Sequence, residues 1–204
     1  IFESTVKLLK SIPGPLKFNS INKIDLSYIS ELNPDSEYSK FQITFFELEE
    51  IANKLRNKNK LSSNDFIVIL TELKLDFTFI SNKDWFGYFN EKNIFVRTYG
   101  WEDYSKNKPQ ITIAHQVVEN IFQSLSGYRF ERLTGYHKRA IGCINDFCHN
   151  DYDIELKLRS AYICRQCIEV AVKNNVGIDV LNQIKRFISF FRDDLLDYES
   201  IIEL

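Results

Sequence analysis

The four cysteines of this chain form two close pairs. Cys143 and Cys148 enclose four residues, Cys164 and Cys167 enclose two, and fifteen residues separate the pairs. Paired thiolates at this spacing are typical of tetrahedral zinc sites, in which each pair supplies two ligands from one turn. Disulfides are one alternative, and a Cys-x-x-Cys redox motif is another, although the βαβ context of such a motif is missing. We predict one structural zinc ion bound by Cys143, Cys148, Cys164 and Cys167.

Other polar residues surround these cysteines. His149 follows Cys148 directly and is an alternative fourth ligand, whereas an exposed loop position is the simpler interpretation. Asp146, Asp151 and Asp153 are predicted to form a solvated rim, in which Asp151 or Asp153 caps a following helix. A site closed by four thiolates has no open coordination position, so we expect it to stabilise the fold without doing chemistry.

A second set of potential ligands lies in "AHQVVENIF", residues 114–122. His115 and Glu119 are four residues apart and therefore share one face of a helix. Zincin peptidases use H-E-x-x-H on a helix, where the two histidines bind zinc and the glutamate activates water. In this chain Gln116 occupies the position of the base, and Glu119 occupies that of the second ligand. Glutamine has no titratable group and cannot act as a base.

Taken together, the two stretches resemble the archaemetzincin-like zinc metalloproteases over roughly residues 60–175. The cysteines follow that family's C-x4-C … C-x2-C pattern in order, with a shorter spacer. The resemblance implies a metzincin-like fold with a small sheet ahead of the His115 helix. Phe122 and Leu125 stand where the family has its glycine and third histidine. The resemblance therefore implies a degenerate member with no assigned catalytic residue. His115, Glu119 and His137 are candidates for a second metal site or for catalysis, and the simpler interpretation is that His115 and Glu119 only make surface or core hydrogen bonds.

Hydrophobic spacing predicts the elements that position these residues. A helix is predicted over 44–58, with acidic residues toward its start and basic residues toward its end. A second helix follows Pro109 and stops at Gly127, and a strongly amphipathic helix is predicted over 178–198. Strands are predicted at 23–29, 65–73, 77–81 and 93–99.

This order of elements predicts the α+β class. We expect one domain over 1–204, with a small mixed sheet and packing helices. The four-cysteine segment 143–167 lies within this domain, and the helix at 178–198 follows it. The apolar face of that helix is predicted to pack on the domain, with a homodimer or inter-domain contact as the alternative.

Composition narrows the classes of function. Hydrophobic residues make up 44% and charged residues 26%, as in soluble globular proteins, and no apolar stretch is long enough to span a bilayer. A net charge of −2 gives no broad basic footprint for nucleic acid. With the intact cysteine pairs and the missing base at Gln116, we expect a cytoplasmic, non-catalytic, zinc-stabilised module that binds a protein or peptide or acts as a sensor.

Two other functions stay open. One is an active zinc peptidase that uses His115, Glu119 and His137, and the other is a nucleic-acid-binding zinc ribbon with basic residues near the cysteines. For the interaction module, an edge strand beside the His115 helix could capture an extended peptide. The candidate lining residues, for which core packing is the alternative, are Trp85, Phe86, Tyr88, Phe89, Trp101 and Tyr104.

Overall fold

The computed structural model describes residues 1–21, 42–76, 86–102, 108–129, 136–148 and 151–202. Six helices lie in these ranges: α1 (Phe2–Ser11), α2 (Phe45–Lys58), α3 (Pro109–Leu125), α4 (Asp151–Ser160), α5 (Arg165–Lys173) and α6 (Ile178–Ile202). The strands there are β1 (Gln42–Thr44), β2 (Ile67–Thr71), β3 (Lys74–Asp76), β4 (Gly87–Asn90) and β5 (Asn93–Arg97). The predicted strands at 23–29 and 77–81 lie outside the described residues.

Three strands form a mixed sheet with β5 at its centre. Strand β2 runs parallel to β5, with Ile67 opposite Asn93, and β4 runs antiparallel to β5, with Gly87 opposite Val96. Every residue of β5 is buried, as expected for a central strand covered on both faces. Strands β1 and β3 form a separate parallel pair. The predicted α+β class with a small mixed sheet is therefore confirmed.

Helix α2 begins where its sequence dictates. The Thr44 hydroxyl accepts a hydrogen bond from the Glu47 amide, and the Glu47 carboxylate accepts one from the Thr44 amide, which is a complete capping box. Leu48, Ile51 and Leu55 lie on one face and pack into a cluster with β2 and β5. The helix predicted over 44–58 is thus found at Phe45–Lys58.

Helix α3 is the central element of the larger core. It starts with Pro109 at its first position and contacts β4 and β5, α1 and α6. Because neighbours surround it, its polar residues are buried as well as its apolar ones. The buried polar residues include His115, Glu119, Asn120 and Gln123. Polar groups in such a position need partners inside the protein.

Helix α6 covers α3 from the C-terminal side. Leu181, Ile184, Phe187 and Phe191 are fully buried and belong to the same core cluster as α3. The apolar face predicted for this helix therefore packs on the chain's own core. In the described part of the chain, no helix is long and apolar enough to cross a membrane.

Candidate metal centre

Three cysteines and one histidine converge beside α5. The donor atoms of His137, Cys143, Cys164 and Cys167 all lie within 4.8 Å of one another. The Nε2 atom of His137 is 3.2 Å from the Cys164 sulfur and 3.3 Å from the Cys167 sulfur. The sulfurs of Cys143 and Cys167 are 3.8 Å apart. This group is compatible with a bound metal ion.

These distances fit tetrahedral coordination. A zinc–sulfur bond of about 2.3 Å places two sulfurs of a tetrahedron about 3.8 Å apart, and a zinc–nitrogen bond of about 2.0 Å places nitrogen and sulfur about 3.5 Å apart. The observed sulfur–sulfur distance of 3.8 Å matches, and the nitrogen–sulfur distances of 3.2 and 3.3 Å are slightly shorter. Three of the six donor–donor distances are therefore close to those of a tetrahedral site, and the other three are no longer than 4.8 Å.

Local backbone geometry holds Cys143 in place. One carboxylate oxygen of Asp146 accepts hydrogen bonds from the amides of Ile141, Gly142 and Cys143, at 2.7, 2.7 and 3.0 Å. Gly142 has φ +83°, and a Cβ atom there would lie 2.2 Å from the hydroxyl oxygen of Ser160. Only glycine fits this turn without strain. Asp146 is 2% exposed, so it belongs to the knuckle and not to the solvated rim that we predicted.

The second cysteine pair sits at the start of α5. Cys164 is the N-cap residue, and its sulfur accepts a hydrogen bond from the Cys167 amide at 3.4 Å. The Cys164 amide in turn donates to the sulfur of Cys143 at 3.4 Å. Amide donors to sulfur stabilise the thiolate form, and the helix N-terminus adds positive potential. The fold therefore presents these sulfurs in a setting that suits metal-bound thiolates.

Further donors surround the sulfur of Cys167. The Tyr128 hydroxyl lies 3.7 Å from it and the Asn145 amide nitrogen 3.6 Å. A hydrogen bond with Cys143 lowers the pKa of Cys167 and raises that of Cys143. Such outer partners orient ligands and tune a metal centre. Tyr128 and Asn145 therefore belong to the surroundings of the site, although cysteine spacing alone does not indicate them.

Cys148, predicted as the fourth ligand, lies outside this group. Its thiol donates toward the Asp146 carbonyl oxygen at 3.8 Å, and the nearby Lys157 charge opposes the rise in its pKa. Burial raises the pKa of the Cys148 thiol to about 11. The alternative ligand His149 lies outside the described residues. The structure therefore brings together three of the four predicted cysteines and adds His137, which the sequence had indicated only for a second site.

The Lys157 ammonium also marks a second polar cluster, on α3. Its Nζ atom is 2.9 Å from one carboxylate oxygen of Glu119, which also accepts a hydrogen bond from Gln123 at 3.1 Å. The other carboxylate oxygen lies 3.8 Å from Nδ1 of His115. His115, Glu119 and Lys157 are 3%, 5% and 6% exposed. A buried ion pair thus occupies the face where the sequence indicated a second metal.

Burial sets the ionisation of this cluster. Desolvation, together with the nearby Lys157 charge, lowers the pKa of His115 to about 3, so its imidazole is neutral at physiological pH. Desolvation alone would lower the pKa of Lys157, but the Glu119 carboxylate and the Cys148 thiol outweigh it and raise that pKa. Desolvation likewise raises the pKa of Glu119 and the Lys157 charge opposes that rise, so the two groups form one coupled buried pair.

The remaining predicted site residues fall elsewhere. Gln116 donates a hydrogen bond to the Asn120 side chain at 2.9 Å, and both residues face β4 at Gly87. His137 lies among the thiols, so the structure does not assemble the candidate site of His115, Glu119 and His137. Among the candidate groove residues, Tyr88, Phe89 and Trp101 are buried in the core, and Trp85 and Tyr104 lie outside the described residues.

No family model, no curated protein and no solved structure matches this chain. The assignment of a function therefore depends on the side chains of these two clusters and on the surface around them.

Proposed function

We propose that this chain is a non-hydrolytic, zinc-stabilised protein-interaction module on a metzincin-like scaffold. The observation that carries the proposal is the group of three thiols and one imidazole within 4.8 Å. Soft sulfur donors with one imidazole favour zinc over magnesium or calcium. Four protein ligands close the coordination sphere and leave no position for water or substrate. Zinc-bound thiols also fit a reducing compartment, which supports a cytoplasmic location.

The arrangement of sheet and helix supports the metzincin-like scaffold. The antiparallel edge strand β4 runs beside α3, and a Cβ atom on Gly87 would lie 3.0 Å from the Gln116 side chain. Helix α3 carries His115 and Glu119 on one face, and the cysteine segment follows it. This is the order and neighbourhood that the family resemblance implies.

The polar cluster on α3 supports the absence of hydrolysis. Gln116 cannot serve as a base, and its amide is engaged with Asn120. Glu119 is paired with Lys157 at 2.9 Å, and His115 is buried beneath α6, where it packs near Phe191. Neither side chain is accessible for binding a substrate.

An exposed apolar patch beside the metal centre supports a protein partner. Tyr152 and Leu156 lie one turn apart on α4 and are 80% and 42% exposed. Ile141 and Tyr162, which flank the knuckle, are exposed as well, and the loop that contains Gly142 packs on the end of α4. We call these four residues the α4 patch. Contiguous exposed apolar residues mark interaction surfaces.

Charges near the α4 patch define the chemistry of the partner. Lys138 and Arg139 are exposed just before Ile141. Arg159 and Arg165 are paired with Glu155 and Glu169 at 2.9 and 2.8 Å, which weakens the basic surface that a nucleic acid would need. An amphipathic peptide with apolar anchors and a few acidic residues therefore fits best.

Metal analysis and a peptidase assay test the first part of this proposal. We expect about one zinc ion per chain, held by three thiolates and one imidazole, and no cleavage of unstructured protein substrates. Two ions per chain together with chelator-sensitive cleavage would instead establish the peptidase alternative.

Selection of displayed random peptides tests the binding surface. Peptides selected on the wild-type protein should lose binding to a Tyr152→Ala, Leu156→Ala variant. The control is Phe46→Ala, which removes a 67% exposed aromatic side chain from α2, outside the α4 patch. The assignment of the α4 patch would be contradicted if both variants lost binding equally, or if the selected peptides bound both variants as well as the wild-type protein.

A further inference from the structure

The surroundings of the Lys157 ammonium resemble the donor set of a metal ion. Its Nζ atom contacts a Glu119 oxygen at 2.9 Å, and the Cys148 thiol lies near enough to act on the pKa of the ammonium. The neutral imidazole of His115 lies beside the same carboxylate, and its Nε2 atom has no hydrogen-bond partner. Carboxylate, thiolate and neutral imidazole are the three ligand types that bind zinc in proteins.

We infer that Lys157 is a tethered cation that fills a divalent-metal position formed by His115, Glu119 and Cys148, and that shortening this side chain converts the position into a second zinc site. The lysine comes from α4 and reaches a glutamate 38 residues earlier in the chain. The metal implied at this helix by the family resemblance therefore does not fit the chain as it stands, because a protein cation occupies its place.

Electrostatics explains why a cation is retained here. A buried carboxylate without a partner is strongly destabilising, and removing one member of a buried ion pair leaves such an uncompensated charge. Glu119 is 5% exposed. Among the described residues, two side chains lie within salt-bridge distance of it, and since His115 is neutral, Lys157 is the one that carries a charge. A zinc ion would supply the same compensation in the space that the ammonium leaves.

The site needs a small rearrangement to bind an ion. In the described part of the chain, only the group around His137 has its donor atoms within 4.8 Å of one another. His115, Glu119 and Cys148 must therefore close around an ion that takes the place of Nζ.

Two substitutions at one position separate charge from space. Lys157→Ala removes the charge and leaves room for an ion, whereas Lys157→Met removes the charge and fills the room. We expect the alanine variant to bind one more Zn²⁺ or Co²⁺ than the wild-type chain, and its melting temperature to rise with added Zn²⁺. The methionine variant should bind the same number of ions as the wild type and should not respond.

A third variant identifies the ligand. Adding Glu119→Gln to Lys157→Ala should abolish the extra ion and its Co²⁺ absorption, because the carboxylate is gone. If the alanine variant folds only when Zn²⁺ is present, the inference is supported. An alanine variant that gains no ion at saturating Zn²⁺, whether folded or unfolded, overturns it.

The inference rests on the proposed function only in assuming a single zinc ion in the wild-type chain. A wild-type count of one with no gain in Lys157→Ala rejects the inference and leaves the proposed function intact. A wild-type chain that lacks thiolate-bound zinc, or that cleaves peptides, rejects the proposed function whatever the variants do.

Discussion

Replacing His137 should weaken metal binding far more than replacing Cys148. The Nε2 atom of His137 lies 3.2 and 3.3 Å from two of the sulfurs, whereas the Cys148 sulfur is engaged with Lys157 and the Asp146 carbonyl. The perturbation is His137→Ala in one variant and Cys148→Ala in the other. Each variant removes one potential metal ligand.

The magnitude follows from sharing the binding energy over four ligands. Structural zinc contributes about 10–16 kcal/mol at neutral pH, so each of four donors accounts for about 3 kcal/mol. Since about 1.4 kcal/mol corresponds to a factor of ten, His137→Ala should weaken zinc binding by about 100-fold. Cys148→Ala removes the contact with the Asp146 carbonyl oxygen and should lower the free energy of unfolding by about 0.5–1.5 kcal/mol, while zinc affinity stays unchanged.

Competition with a chromophoric chelator measures the zinc affinity, and the Co²⁺ spectrum reports the number of thiolate ligands. We expect three thiolates in the wild-type chain and in Cys148→Ala, and a distorted spectrum in His137→Ala. Cys143→Ala serves as the positive control, since Cys143 is a ligand both in the site predicted from spacing and in the group found in the structure. If Cys148→Ala weakens zinc binding as strongly as Cys143→Ala while His137→Ala does not, the four-thiolate site predicted from spacing is correct and the assignment of His137 fails.

Three further predictions concern the packing around the two clusters. Burial lowers the pKa of His115 from 6.5 to about 3, so its contribution to stability is complete above pH 6.5 and is lost as the pH falls toward 3. The loss amounts to at most about 1.4 kcal/mol per pH unit. Urea titrations at saturating zinc should therefore show a smaller loss of stability between pH 7 and 5 in His115→Gln than in the wild-type chain. Gly142→Ala should lower the free energy of unfolding by about 1–3 kcal/mol, since φ is +83° and the space is occupied, whereas Gly177→Ala, with nothing within 4 Å, should be nearly neutral. Glu119→Gln and Lys157→Met should each lower the free energy of unfolding by about 3–5 kcal/mol, and the double variant should lose clearly less than the sum of the two. Additive losses in a double-mutant cycle measured by thermal denaturation would contradict a coupled ion pair.

The family relationship stays a proposal that the fold can test. In a metzincin-like scaffold, β4 would be the edge strand next to α3. Gly87 of β4 approaches Gln116 and Asn120 of α3 closely, as such an arrangement needs. If the relationship holds, the chain has kept the sheet, the helix and the cysteine segment. It has then exchanged the chemistry of the helix for a buried ion pair.

Local sequence determined much of the secondary structure. Helix α2 carries its own start signal in Thr44 and Glu47, and Pro109 and Gly127 bracket α3, so these elements follow from residues that are near one another in the chain. The two cysteine pairs likewise predicted a metal site, because their spacing is itself local. Burial of Asp146 was missed because its partners are backbone amides, which no side-chain pattern reveals.

Tertiary structure alone decided which residues share a site. His137 has no spacing signature that joins it to Cys164, 27 residues away, and Lys157 has none that joins it to Glu119, 38 residues away. Both contacts depend on long-range packing: the knuckle turns back on α5, and α4 packs on α6, with Lys157 reaching Glu119 of α3. The residue types therefore indicated a thiol-rich group that is compatible with a metal ion. Their packing decided that an imidazole completes the group while the fourth thiol faces a buried ammonium.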